Sequence, residues 1–127
     1  RLLALWEGGQ PHKLDPVSLG TSSAIDLGGV VVKGQALAAH PRYDATTDRL
    51  VCYDYKPSPL TGTALRLFEF ENNFRLVGNK VNKVEIPDVF GLFHDVAVTK
   101  NYYVFTASPQ SLGKDIASKG LDILLGK

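Results

Sequence analysis

An all-β fold is what this sequence predicts, and three observations predict it. Apolar and polar residues alternate with period two over several short runs, the pattern of strands with one buried face. Clusters of glycine, proline, asparagine and aspartate punctuate those runs at close intervals. Helical spacing is confined to the tail, where Ile116, Leu121, Leu124 and Leu125 recur between Gln110 and Lys127 with Gly120 interrupting them.

In chain order, residues 2–6 read as an apolar strand that Glu7-Gly8-Gly9 ends, because glycine tolerates the positive φ of a tight turn. His12 follows in Pro11-His12-Lys13-Leu14, as an exposed strand residue ahead of the Asp15-Pro16 turn. From Val17 to Gly34 serine, threonine and glycine interrupt Ile25-Asp26-Leu27 and Val30-Val31-Val32, which predicts a loop carrying one or two short strands. Gln35 to Ala39 leads into a His40-Pro41 corner, where the proline pushes His40 into an extended conformation. A polar turn over 43–48 precedes a strand from Leu50 to Tyr55, and Pro57, Pro59 and Gly62 mark the next loop.

Thr63 to Glu71 sets Arg66, Phe68 and Phe70 against Leu65, Leu67 and Glu69, so both faces are partly apolar, as in a strand packed between two layers. Asn72-Asn73 turns the chain into short strands at 75–77 and 81–86, which Pro87-Asp88 ends. Leu92, Val96 and Val98 then alternate with His94 on the same face, which predicts a strand over 92–99 with His94 pointing inward. Lys100-Asn101 turns it back into Tyr102 to Thr106 as a hairpin. The total is about eight or nine strands, which suits either a sandwich or part of a propeller. No internal sequence repeat stands out.

The 127 residues are enough to bury one core. A formal net charge of +1, with lysines and arginines scattered, argues against a nucleic-acid partner. The longest apolar runs are about five residues, against the roughly 18 of a spanning helix, so no transmembrane segment and no secretory signal is read in this stretch. The single cysteine, Cys52, lies in Leu50-Val51-Cys52-Tyr53 and reads as a small core residue that has no cysteine to pair with. The chain opens on Arg1 and holds no methionine, so it is expected to be a processed or internal piece, incomplete at both ends.

His40 and His94 are 54 residues apart (94 − 40 = 54), both on extended backbone. Spacing alone leaves two readings open: two ligands of one metal, or two core histidines each satisfied by a carbonyl. Glu7 is similarly open, as a solvated turn carboxylate or as a group turned inward.

The surrounding residues carry a resemblance. Leu3-Ala4-Leu5-Trp6-Glu7-Gly8-Gly9-Gln10-Pro11-His12, Leu14-Asp15-Pro16, Ala39-His40-Pro41-Arg42 with Asp44, His94-Asp95 and Thr99-Lys100-Asn101-Tyr102 resemble the carotenoid cleavage oxygenases in order and spacing. The match runs from near residue 2 to near residue 109. It implies a segment of a seven-bladed β-propeller, and at roughly 40–50 residues per blade this chain holds about two to two and a half blades. It also implies that residues 1–127 are one partial propeller domain.

The same resemblance implies a non-haem iron(II) held by four histidines, of which His40 and His94 match the first two. Glu7 matches one of three glutamates that orient the ligand imidazoles, with His94 as its partner. The remaining ligands and glutamates lie beyond this chain, since His12 matches neither histidine motif. The implied reaction is cleavage of a double bond in an apolar polyene, a carotenoid or apocarotenoid, by dioxygen. Two alternatives are a retinoid-type isomerohydrolase of the same family, and a catalytically silent propeller scaffold whose histidines are satisfied by hydrogen bonds. Peripheral membrane association, in a plastid or the cytoplasm, would come through parts not recognisable in this stretch. Lys100 and Val96 depart from the residues the family usually has there, at turn and packing positions that bear on subfamily. A propeller piece leaves strand edges unpaired, so the isolated segment is not expected to be a stable monomer or to hold iron tightly.

Overall fold

The computed structural model describes residues 2–58, 60–79 and 81–106, and the helical spacing expected over 110–127 lies outside the described residues. The strands are β1 (Leu2–Ala4), β2 (His12–Leu14), β3 (Thr21–Ala24), β4 (Arg42–Asp44), β5 (Arg49–Ser58), β6 (Gly62–Glu71), β7 (Arg75–Leu76), β8 (Asn82–Ile86), β9 (Val96–Val98) and β10 (Tyr103–Phe105). They form three antiparallel sheets: β1-β2-β3, then β4-β5-β6 with β7 and β8 both pairing β6, then β9-β10. Among the described residues there is no α-helix, and no helix long and apolar enough to cross a membrane.

The long β5–β6 hairpin forms the middle layer, and the two-faced apolar pattern of β6 explains why. On one face Leu65 and Leu67 join Ala38, Val51, Tyr53, Phe93 and Val96 in one core, which faces the β9-β10 hairpin. On the other, Phe68 and Phe70 join Leu27, Val31, Leu37 and Cys52 in a second core, against which Leu3 and Leu5 pack from the first sheet. Cys52 is buried, and burial pushes its thiol up to about 12, so it is a core residue as expected. The hairpin is longer than the turn residues suggest. β5 runs on through Pro57, which pairs Thr63 one step from the end of the ladder, where a missing N–H removes a single bond.

Gly62 closes that hairpin at φ +90°, and a Cβ there would stand 2.1 Å from Ile86 O on the neighbouring strand. Gly29, at φ +86°, has open space around it. Gly29→Ala therefore isolates the cost of the left-handed conformation, about 1–2 kcal/mol. Gly62→Ala is expected to cost more, because β8 must also move, and denaturant unfolding of the two variants checks the order.

A structural repeat underlies the layers. Arg42 to Val96, Arg49 to Tyr103 and His40 to His94 are each the same distance along the chain (96 − 42 = 103 − 49 = 94 − 40 = 54). Each histidine thus sits two residues ahead of the first strand of its sheet.

The segment before β9 corrects the sequence reading. The hairpin itself forms, with Tyr103 opposite Val98 and Phe105 opposite Val96, and Thr99 closes its turn through bonds to Tyr102. The strand, however, begins only at Val96. Leu92 is 64% exposed whereas Phe93 is 2% exposed, and the His94 side chain is 66% exposed. The larger phenylalanine takes the core position, its ring between Tyr55 (5.9 Å) and Phe105 (6.2 Å). Asp95 then accepts the N–H of Val96 at 2.7 Å, a local bond that competes with ladder pairing. His94 consequently does not sit on an inward-facing apolar strand. His12 is half-buried on β2 rather than exposed.

Candidate metal centre

Glu7 occupies the turn after β1, and its neighbours explain how it is aimed. The Trp6 ring folds back over Gly8 and Gly9, where added Cβ atoms would stand 2.3 Å and 2.7 Å from ring atoms. Neither glycine has positive φ. The two glycines are needed here to make room for the indole, and not for the left-handed turn that the sequence suggests. Leu37 N–H donates to Gly9 O at 3.2 Å and Ala38 N–H to Tyr53 O at 3.0 Å, which fixes the turn beside the segment that leads into His40.

The structure brings together all three residues singled out by sequence. The imidazoles of His40 and His94 have centroids 4.4 Å apart and planes inclined at 65°. Glu7 Oε1 lies 2.7 Å from His94 Nδ1, and the Glu7 side chain is only 28% exposed. An ionised carboxylate only accepts, so the bond is donated by His94 Nδ1–H, and the neutral ring with that tautomer leaves Nε2 as the acceptor. His12 forms no part of this group and lies on β2, paired with Ala4 and Ala24.

Several residues around this group were not assigned a role by sequence reasoning. Arg42 donates from Nε to Val96 O at 3.1 Å and from Nη2 to the Asp95 carboxylate. The Val96 N–H, first, and the Arg42 guanidinium hold the Asp95 carboxyl below the usual aspartate range, with the nearby His40 adding to the effect. Tyr53 donates to Phe93 O at 2.9 Å. Burial, with the charges of Asp95 and Glu7 nearby, pushes the Tyr53 hydroxyl well above its ordinary value, so it stays a donor. The position of Arg42 and Asp95 just after the two histidines was a usable signal. Tyr53, 40 residues before Phe93 in sequence, offered none.

The donor set suits a borderline metal. Imidazole nitrogen fits iron, zinc or copper better than magnesium or calcium. Two imidazoles meeting at a right angle round an ion at about 2.1 Å would have centroids roughly 4.6 Å apart, close to the observed separation. Among the described residues no group of three or more His, Cys, Asp or Glu side chains is placed to hold a metal ion. His40 and His94 are two adjacent imidazoles, fewer donors than such a group needs.

Comparison with known proteins bears directly on this arrangement. The family model of retinal pigment epithelial membrane protein matches residues 1–124. The chain belongs to that family, the carotenoid cleavage oxygenases. It is 39% identical over 132 aligned residues to apocarotenoid-15,15'-oxygenase of Synechocystis, covering 99% of this chain and 25% of that protein. It is 30% identical over 116 residues to resveratrol cleavage oxygenase 1 of Aspergillus fumigatus, covering 87% of this chain and 21% of the relative. The cobalt-substituted Synechocystis apocarotenoid oxygenase superposes with a TM-score of 0.68 at 40% identity, over 83% of this chain and 22% of that one. The chain thus spans about a quarter of the length of the curated relatives it matches. The three sheets are therefore parts of a β-propeller segment.

Proposed function

We propose that this chain is the part of an iron(II)-dependent carotenoid or apocarotenoid cleavage dioxygenase that supplies two histidine ligands, His40 and His94, and one orienting carboxylate, Glu7. The observation that carries the reading is the hydrogen-bonded chain from Glu7 Oε1 to His94 Nδ1, 2.7 Å, with the His40 ring 4.4 Å from the His94 ring. A core histidine would be buried against a carbonyl, whereas His94 is largely exposed and held by a carboxylate. Residues 1–127 are then one partial propeller domain, and the rest of the protein supplies the other ligands and covers the exposed histidine face.

Glu7 holds a proton on His94 Nδ1, fixes the ring's orientation and makes Nε2 more basic. His40, restrained by Pro41, presents its ring from the adjacent sheet. Iron(II), when bound, supplies the open positions and electrons through which dioxygen becomes reactive. Overall, one carbon–carbon double bond of the apolar polyene is broken, and each carbon takes one atom of dioxygen to give two carbonyl products.

The test is incubation of the full-length, iron-loaded protein with an apocarotenoid, a stilbene and a retinyl ester. Aldehyde products from the polyene are expected. Isomerised alcohol from the ester would point to the isomerohydrolase reading, and no conversion of any of the three by metal-loaded protein would leave the scaffold reading. Glu7→Gln keeps the shape but is a weaker acceptor, and loss of such an outer partner costs about 10–100-fold in metal affinity or activity. That drop, with an unchanged thermal melting curve, is expected by metal analysis and chelator competition. A solvated turn residue would tolerate the change.

A further inference from the structure

The backbone carrying His94 lies outside any strand, yet each residue from Phe93 to Val96 is held by a side chain. Tyr53 holds the Phe93 carbonyl, Glu7 holds the His94 ring, and Arg42 holds both the Asp95 carboxylate and the Val96 carbonyl. Arg42 differs from the others in its origin. It lies two residues beyond His40, on β4, with the rigid Pro41 between them.

From these bonds we infer that Arg42 is a positioning residue that sets the spacing of the His40 and His94 imidazoles, acting as a pair with Asp95. The inference rests on the metal reading proposed above. Its guanidinium spans from the sheet of one histidine to the sheet of the other and grips two different groups, a carbonyl and a carboxylate. Two bonds from one planar fork fix orientation as well as distance, which a single ammonium cannot do. The Arg42 and Asp95 side chains are 48% and 43% exposed, and an ion pair that open contributes little to overall stability. Its effect therefore falls on local geometry. β4 and β9 are joined by no ladder, so a side chain is what registers the first strand of one sheet against the first strand of the next.

Cobalt(II) titration of the full-length apoprotein, read by its visible ligand-field band and by chelator competition, tests this. Arg42→Lys keeps the charge and the fold while removing the fork. It is expected to weaken cobalt(II) binding about 10–100-fold, the range for residues that orient ligands, and to shift the band, with the melting temperature unchanged. Asp95→Asn should produce the same spectral shift, and the double variant should be no worse than the more affected single variant, as for two groups acting as one unit. Arg75→Lys, in the exposed pair with Glu71, serves as the control and should match wild type. If wild type binds no cobalt(II), or if His40→Ala binds it as well as wild type, the metal reading itself fails. If wild type binds it through His40 but Arg42→Lys matches wild type in affinity and band, or the double loss is additive, the positioning role is overturned and the metal reading stands.

Discussion

His94→Ala, made in the full-length protein, is expected to abolish stoichiometric iron binding and cleavage activity while leaving the fold intact. The side chain is 66% exposed, so its truncation removes few packing contacts, and surface changes of that kind stay within about 0.5 kcal/mol. On the proposed metal reading the effect should exceed the ~10–100-fold typical of an outer partner, because a donor atom itself would be lost. Glu7 would then keep a carboxylate with no imidazole to orient, so His94→Ala/Glu7→Gln should bind metal no worse than His94→Ala alone. Metal analysis after gel filtration, beside a melting curve, measures both halves of the expectation. Wild-type iron content in His94→Ala would remove this histidine from the metal set.

Legibility of the sequence varied with the physical origin of each signal. β6 was readable because Leu65, Leu67, Phe68 and Phe70 load both faces, and the structure puts one pair in each core. The turns at Asn72-Asn73 and Pro87-Asp88 were readable because they ask for special dihedrals: Asn73 sits at φ 65° and Asp88 at φ 58°. The structural repeat was hidden, because Arg42-Tyr43-Asp44 and Val96-Ala97-Val98 share position in the fold and no side-chain type. Only the histidines ahead of them recur. Proximity of Glu7 to His94 was legible through motif resemblance and not through spacing, since 87 residues separate them. The role of Arg42 depends on a contact across two sheets, and no local pattern encodes that.

The phase of residues 92–96 is where local pattern and tertiary packing disagreed, and it gives the largest expected effect on stability. Period two puts Leu92, His94 and Val96 on the core face and Phe93 outside. The structure buries Phe93 at 2% exposure and leaves Leu92 at 64%. A phenylalanine buries more apolar surface than a leucine, so the chain gains by leaving ladder geometry for a few residues to seat the ring. Phe93→Ala should therefore cost about 3–5 kcal/mol, the range for emptying a buried phenylalanine site. Leu92→Ala should cost no more than about 0.5 kcal/mol. Denaturant unfolding of the full-length protein separates the two phases, since a strand with Leu92 inward predicts the reverse order. The same variant carries a second expectation. Phe93 O accepts the Tyr53 hydroxyl, and the next residue is His94, so loosening the ring also loosens the backbone from which the imidazole projects. Metal affinity should fall in Phe93→Ala even though its side chain touches no ligand, whereas Phe93→Leu, which refills most of the site, should recover both stability and metal. Loss of stability without loss of affinity would mean that Glu7 and Arg42 alone suffice to hold His94.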